Sequence, residues 1–175
     1  MKTPPSTTTT ATLPSASIYL PAEWASLLAH DIAHARHRVI LTALSAQPPR
    51  HSAKSPHGAL WQELCAAPSR GLSVTLLIAA PMNAHPATSR ALHAARYLHG
   101  FGVTVLLVPG PRLLHQKTVC LDREVCWVGS GNFTAAAANH NYELYARMKD
   151  AGACLQVFNR AAEIAAHAGA TLGNW

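Results

Sequence analysis

The sequence predicts one α/β domain with α/β/α layering, in which helices cover both faces of a mixed, largely parallel sheet. Between residues 21 and 108, segments with helical spacing of apolar residues alternate with short apolar runs that are typical of buried strands. The chain has 175 residues, of which 49% are hydrophobic, and this is enough for one sizeable core. No second large domain is therefore expected within these 175 residues.

The first helix is expected to begin at Pro21, because proline favours the first turn of a helix. Its apolar residues, among them Trp24, Leu28 and Ile32, fall on one face. Strands are predicted at 39–44, 73–79 and 103–108, with helices at 58–67 and 87–99 between them. Thr88 or Ser89 would cap the second of these helices, and Gly100 would end it.

After Pro111 the pattern changes. Two strand-like pieces, 117–121 and 125–128, are separated by only three residues, which favours a hairpin. A strand at 143–148 and an alanine-rich helix at 153–169 complete the predicted domain, which spans 18–175. Residues 1–17 are rich in Thr, Pro and Ser and are predicted to form a disordered tail.

The charge balance favours an anionic partner. Lys and Arg total 14 against 8 Asp and Glu, and 11 His add further potential positive charge. None of the four cysteines belongs to a CxxC pair, so buried free thiols are expected. Neither a secretory leader nor an apolar run of about 20 residues is visible, and a soluble, cytoplasmic protein is the expectation.

The segment 115–132 carries the residues with the clearest chemistry. His115 and Lys117 are two apart on a predicted strand, so both side chains project from one sheet face, within reach of one phosphate, while Gln116 points the other way. The sequence Gly129-Ser130-Gly131-Asn132 lies at a strand end before a short helical stretch, where free backbone N–H groups favour an anion. The candidate phosphate contacts are therefore Lys117, Gly129, Ser130 and Asn132.

An imidazole is a competent nucleophile toward phosphorus when a carboxylate holds its other nitrogen. His115 is the candidate nucleophile, and Glu143 is the candidate carboxylate. Asp122 lies in the predicted hairpin turn, so we interpret it as a structural residue that organises the loop. The predicted catalytic set is therefore His115, Lys117, Asn132 and Glu143.

The spacing of His115, Lys117, Asp122 and 129–132 resembles the HKD motif of the phospholipase D superfamily. Asn141-Tyr142-Glu143 resembles the Asn-x-Glu found downstream in small members of that superfamily. The resemblance implies a phospholipase D-like domain and hydrolysis of phosphodiesters through a phosphohistidine, with neither a metal nor another cofactor. Small members with one motif form homodimers, and this implies two His115 facing each other, one attacking and one donating a proton.

Three functions stay open at this point. The first is an endonuclease acting on DNA or RNA, which the basic balance favours. The second is a phospholipase D-type hydrolase that releases phospholipid headgroups, although the last helix lacks the basic face expected of a membrane-docking helix. The third is a catalytically silent nucleic-acid-binding dimer, against which the intact His115 argues.

Other basic residues carry weaker signals. His30 and His34 are four apart on the first helix, but without a Glu beside them or a convergent Cys or Asp an exposed helix face is favoured over a metal site. The loop from Arg50 to His57 is as consistent with an ordinary surface loop as with a ligand contact. Arg112, just before the motif, is a candidate for contact with a second phosphate.

Overall fold

The computed structural model describes residues 16–49, 55–81, 88 and 90–173. Within these ranges a single sheet of seven strands has the order β1-β7-β6-β5-β2-β3-β4. The strands are β1 (Ala16–Tyr19), β2 (Arg38–Ala43), β3 (Ser73–Ala79), β4 (Thr104–Val108), β5 (Lys117–Leu121), β6 (Val125–Gly129) and β7 (Tyr145–Met148). The helices are α1 (Pro21–His34), α2 (Pro56–Ala66), α3 (Ala91–His99), α4 (Ala135–Asn139) and α5 (Ala151–His167).

The predicted α/β architecture with a mixed sheet is confirmed, but the sheet is not largely parallel. Strands β2, β3 and β4 are parallel neighbours. The other four neighbouring pairs of the described sheet are antiparallel. The reason is the second half of the chain, where a tight turn joins β5 to β6 and no helix crosses over between them.

Helices cover both faces of the sheet, as predicted. On one face α1, α2, α3 and α4 bury a large core that includes Trp24, Trp61 and Trp127. On the other face, α5 is the only helix within the described ranges, and its Cys154, Phe158 and Ile164 pack against Ile40 and Leu77. The alternation of side chains along β2 and β5 divides their apolar residues between these two cores.

The expectation of buried free thiols is confirmed for Cys120, Cys126 and Cys154, which lie together between the sheet and α5. Burial raises the pKa of the Cys126 thiol to about 12. Cys65 is also a free thiol but is only partly buried. Because the thiolate is the reactive form, the three clustered cysteines are structural in character.

The predicted N-terminal tail, residues 1–17, extends two residues too far along the chain. Ala16 and Ser17, expected in the tail, belong to β1, which pairs antiparallel with β7. Residues 1–15 lie outside the described residues. Edge strand β1 buries little of its surface, and Ile18 is 60% exposed, so the apolar signal of a buried strand is missing from its sequence.

The start of α3 also differs from the prediction. The helix begins at Ala91, and its N-cap position is taken by Arg90 without a side-chain cap. Thr88 lies before the helix and does not cap it, and Ser89 is outside the described residues. Gly100 occupies the C-cap position, as predicted. Across the described ranges, none of the helices combines the length and apolar character needed to cross a membrane.

Candidate active site

The residues singled out in 115–143, apart from Asp122, converge at one edge of the sheet. Strand β5 is antiparallel to β2, so its first residue, Lys117, lies near the carboxyl end of β2. Lys117 is opposite Gly129 at the end of β6, and Gly129 is opposite Tyr145 at the start of β7. The chain segments that carry His115, the 129–132 loop and Glu143 therefore reach this edge together.

His115 and Lys117 form the centre of the site. Lys117 is 7% exposed, whereas His115 is exposed. The Lys117 ammonium donates to the backbone oxygen of His115 and lies 3.2 Å from its Nδ1. When Lys117 donates to Nδ1, that nitrogen carries no proton, and Nε2 then holds the proton of the neutral ring. Gln116 points to the opposite face, as predicted, and donates to Thr42 Oγ1 at 3.2 Å.

Burial sets the electrostatics of Lys117. It lowers the pKa of the ammonium, because the charged form loses hydration. The carboxylate of Glu143 acts in the opposite direction and raises the pKa of Lys117. A poorly hydrated cation in this position is a strong binding group for an anion.

Lys117→Met is expected to raise the free energy of unfolding by about 1 kcal/mol while it weakens catalysis, because functional groups are often held at a cost in stability. Burial lowers the pKa of Lys117 in the folded chain. The gain in the free energy of unfolding should therefore have its full size at any pH below that lowered pKa. It should disappear as the pH rises from the folded to the unfolded pKa. Chemical denaturation between pH 7 and 11 measures it, with the exposed Lys149→Met as control. Equal or lower stability of Lys117→Met across this range would contradict the prediction.

Asn132 is held by the end of the β2 segment. Its Oδ1 accepts a hydrogen bond from the Ser45 N–H at 3.1 Å. The Phe133 N–H donates to the Ser45 carbonyl at 3.3 Å, and the Gln47 N–H donates to the Phe133 carbonyl at 2.9 Å. Because the amide oxygen is used by Ser45, the NH₂ group of Asn132 is the part that can donate to a substrate oxygen. Sequence reasoning missed this role of Ser45, since no motif marks a backbone contact.

Glu143 is fixed by two neighbours. The Ser130 hydroxyl donates a short hydrogen bond to Oε2, and Asn141 Nδ2 donates to Oε1 at 3.1 Å. The Leu144 N–H in turn donates to the Ser130 hydroxyl at 3.1 Å. Ser130 thus ties the 129–132 loop to Glu143. The role of Glu143 in fixing the tautomer of His115 stays a prediction.

The expectation that free backbone N–H groups near 129–132 bind the anion is wrong at three positions. The Ser130 N–H donates to the Leu144 carbonyl at 3.2 Å, the Thr134 N–H donates to the Asn132 carbonyl at 2.8 Å, and the Phe133 N–H is used by Ser45. Helix α4 has only five residues and contributes little dipole. These three N–H groups are therefore occupied within the chain, and the side chains of Lys117 and Asn132 stay the candidates for contact with an anion.

The two glycines of the loop make room for a ring. A Cβ on Gly131 would lie 1.7 Å from the Tyr145 hydroxyl oxygen, and one on Gly129 would lie 2.3 Å from Tyr145 Cδ1. Tyr145 stacks on Trp24, with ring centroids 4.1 Å apart and planes within 4°. Among the described residues its buried hydroxyl has no hydrogen-bond partner. This ring packs directly against the 129–132 loop, and no local sequence pattern predicts that contact.

Asp122 lies at the other end of β5, about 17 Å from the start of that strand at 3.3 Å per residue. Its carboxylate accepts hydrogen bonds from the backbone N–H groups of Arg36, His37 and Arg38 at 2.9, 2.9 and 2.8 Å. It also takes the left-handed conformation in the turn, with φ 49°. The carboxylate therefore ties the β5–β6 turn to the segment between α1 and β2.

Asp122→Ala is expected to lower the free energy of unfolding by about 2–4 kcal/mol, because three backbone donors lose a charged acceptor. At a temperature well below the midpoint of unfolding, kcat should stay near that of the unmodified chain. Thermal and urea unfolding measure the first effect, with the exposed Glu124→Ala in the same turn as control. A large fall in kcat without a loss of stability would instead place Asp122 in the chemistry.

The predicted loop from Arg50 to His57 is described only from residue 55 onward. His57, expected in the loop, belongs to α2 and is buried, where its Nε2 accepts a hydrogen bond from Trp61 Nε1 at 2.9 Å. Burial lowers the pKa of this imidazole. Arg50, His51 and Lys54 lie outside the described residues.

The model of the family described as "Cardiolipin synthase, PLD-like domain" matches residues 28–165. No curated protein sequence shows a significant match to the chain. Among solved structures, the phospholipase D family member Nuc from Salmonella typhimurium is similar with a TM-score of 0.70 and 21% identity over 86% of this chain and 93% of Nuc.

Two further structures share the fold. NucT from Helicobacter pylori has a TM-score of 0.68 and 18% identity, over 86% of this chain and 95% of NucT. Phosphatidylserine synthase from Haemophilus influenzae has a TM-score of 0.65 and 17% identity, over 82% of this chain and 35% of the synthase. The family match covers most of the described domain and includes every residue of the site, so this chain belongs to the phospholipase D-like family.

Proposed function

We propose that this chain is a metal-independent phosphodiester hydrolase that cleaves DNA or RNA internally, with His115 as the nucleophile. The observation that carries the proposal is the exposed His115 imidazole beside the buried Lys117 ammonium, at the edge where Asn132 is held by Ser45. Family membership supports the reaction class. The net charge of +6 favours a polyanionic substrate.

In the first step the imidazole nitrogen of His115 that carries no proton attacks phosphorus, and the bond from phosphorus to the leaving oxygen breaks. A second imidazole donates a proton to that oxygen, and a phosphohistidine remains. Water then attacks phosphorus, gives its proton to the second imidazole and releases His115. Lys117 and the NH₂ group of Asn132 stabilise the negative charge that develops on the phosphoryl oxygens.

The second imidazole comes from another copy of the chain, since the sequence carries one such motif. Two chains related by a twofold axis would place two His115, two Lys117 and two Asn132 around one phosphate. Glu143, held by Ser130 and Asn141, supplies the carboxylate that favours the protonated state of a neighbouring imidazole. The proposed active form is therefore a homodimer with one shared site.

Hydrolysis of phospholipids is the second candidate. Two comparisons favour it: the description of the matching family and the fold shared with a phosphatidylserine synthase. A phospholipid diester would meet the same His115, Lys117 and Asn132, and water would complete the reaction after the headgroup has left.

One experiment tests these functions together. Purified protein in EDTA is incubated with plasmid, single-stranded DNA, RNA and phospholipid vesicles, beside His115→Asn and the exposed His93→Asn as matched control. Internal cleavage of nucleic acid that survives EDTA and is lost only in His115→Asn supports the proposal. Headgroup release alone would assign the second candidate, and binding without turnover would point to a silent nucleic-acid-binding dimer.

Mixed dimers give a sharper prediction for the shared site. When wild-type and His115→Asn chains are co-refolded in equal amounts, activity should fall to about one quarter of wild type, because only dimers with two intact imidazoles work. Light scattering on the same sample should give a mass about twice 18.6 kDa. Co-refolding with His93→Asn should leave the activity unchanged. An activity of one half would mean that each chain works alone.

A further inference from the structure

A cavity of about 490 Å³ opens beside His115. It lies between the chain that leads from β4 into β5 and the carboxyl-terminal half of α5. Its volume is within the range of small-molecule sites, roughly 300–1,000 Å³, and is sufficient for one nucleotide unit. The cavity therefore adjoins the proposed nucleophile and can hold a part of the substrate that does not react.

The ionisable side chains that line the cavity are all basic. Arg112, Arg160 and His167 line the cavity together with His115, and the described lining residues include neither Asp nor Glu. Arg160 pairs at its Nη1 with Glu163 at 2.6 Å on the surface of α5. That contact, between two exposed side chains, uses one of five guanidinium donors and leaves four for an anion. The cavity is therefore suited to an anion.

The spacing from His115 fits a repeating polyanion. Arg112 is three residues from His115, so their Cα atoms are at most about 10 Å apart. A strand of B-DNA carries one phosphate per 3.4 Å of helix axis, and the neighbours of a phosphate held at His115 fall within this span. The remaining lining is partly apolar, with Leu113 and Ile164, and offers a surface for a sugar or base.

We propose that this cavity binds the phosphate next to the scissile one on a nucleic-acid strand, through the guanidinium groups of Arg112 and Arg160. The inference rests on the proposed function and adds to it a second, non-reacting phosphate. Guanidinium groups suit phosphate because two parallel N–H donors match two phosphate oxygens. A phospholipid with a single phosphate would leave this second site without an anion, so the cavity favours the nucleic acid.

The test compares a long and a short substrate. Arg112→Gln combined with Arg160→Gln is assayed on a single-stranded 20-mer and on bis(p-nitrophenyl) phosphate, which has one phosphate. The ratio of kcat/KM for the 20-mer to kcat/KM for the small diester should fall roughly 30-fold, as expected from the loss of charged hydrogen bonds. The slope of the salt dependence of oligonucleotide binding should decrease by about 0.7, because one phosphate of the single strand is no longer neutralised. The matched control is Arg96→Gln with Arg123→Gln, which removes the same charge from exposed positions.

A second measurement separates this inference from the proposed catalysis. Fluorescence anisotropy reports binding of a labelled 20-mer to His115→Asn, with and without the two arginine changes. Binding weakened about 30-fold supports the cavity even if the wild-type chain hydrolyses neither substrate, in which case only the proposed function fails. Unchanged binding, or the same loss in the control pair, overturns the inference. If the two arginine changes weaken binding to phospholipid vesicles but not to the 20-mer, the inference is overturned and the cavity is assigned to a lipid.

Discussion

His115→Asn should reduce phosphodiester hydrolysis by roughly 10⁴-fold or more, because the chain then lacks the group that forms the covalent intermediate. Stability should change little, since His115 is exposed and leaves no cavity when it is shortened. The backbone oxygen of His115 stays in place, so Lys117 keeps one of its two contacts. The loss would therefore report on chemistry rather than on folding.

The covalent intermediate can be observed directly. Rapid quenching at alkaline pH, where phosphohistidine survives, followed by peptide mass spectrometry should place a phosphoryl adduct on His115 in the wild-type chain. The exposed His93→Asn is the matched control and should keep full activity and the same adduct. An adduct on another residue, or activity of His115→Asn within tenfold of wild type, would contradict the assignment.

Several elements of the fold could be predicted because their signals are local. Strand β3 (Ser73–Ala79) was predicted at both ends, since it is a continuous apolar run with Gly71 before it and Pro81 after it. Helix α1 was predicted to start at Pro21, where proline satisfies the first turn. Strand direction is not local: it depends on which strands become neighbours, and the predicted parallel majority was therefore wrong.

The site was predictable only where sequence spacing maps onto one strand. His115 and Lys117 fall together because side chains two apart share a face. The contact of Ser45 with Asn132 joins residues 87 positions apart, and no local pattern encodes it. The hydrogen bonds that occupy the N–H groups of Ser130 and Phe133 likewise come from distant segments, so the expected backbone cradle could not be tested from sequence.

Gly131 illustrates how the core dictates the loop that carries Asn132. Its φ is not in the left-handed region, so backbone freedom does not explain the glycine. The explanation is space: a Cβ there would meet the Tyr145 hydroxyl at 1.7 Å, Tyr145 Cζ at 2.7 Å and Ala137 Cβ at 3.2 Å. Tyr145 has little freedom to withdraw, because it is 2% exposed and stacks on Trp24.

Gly131→Ala should therefore lower the free energy of unfolding by about 3 kcal/mol, near the upper end of the usual cost of overpacking a core. It should also lower kcat, since any shift of the loop moves Asn132 away from the Ser45 N–H that orients it. Urea unfolding measures the stability, with Gly100→Ala as control, where the new Cβ would find its nearest atom at 3.4 Å.

The same glycine change in a chain that carries Tyr145→Leu tests whether the tyrosine ring causes the loss of stability. In Tyr145→Leu the atoms that a Cβ on Gly131 would strike most closely are gone, so Gly131→Ala should cost less there, by about 1–3 kcal/mol, than in the wild-type chain. An equal cost in both backgrounds would mean that Ala137 or the loop backbone sets the limit. If the double variant regains stability but not kcat, Tyr145 also positions the loop for catalysis. The ring would then be needed for activity even when it no longer clashes with residue 131.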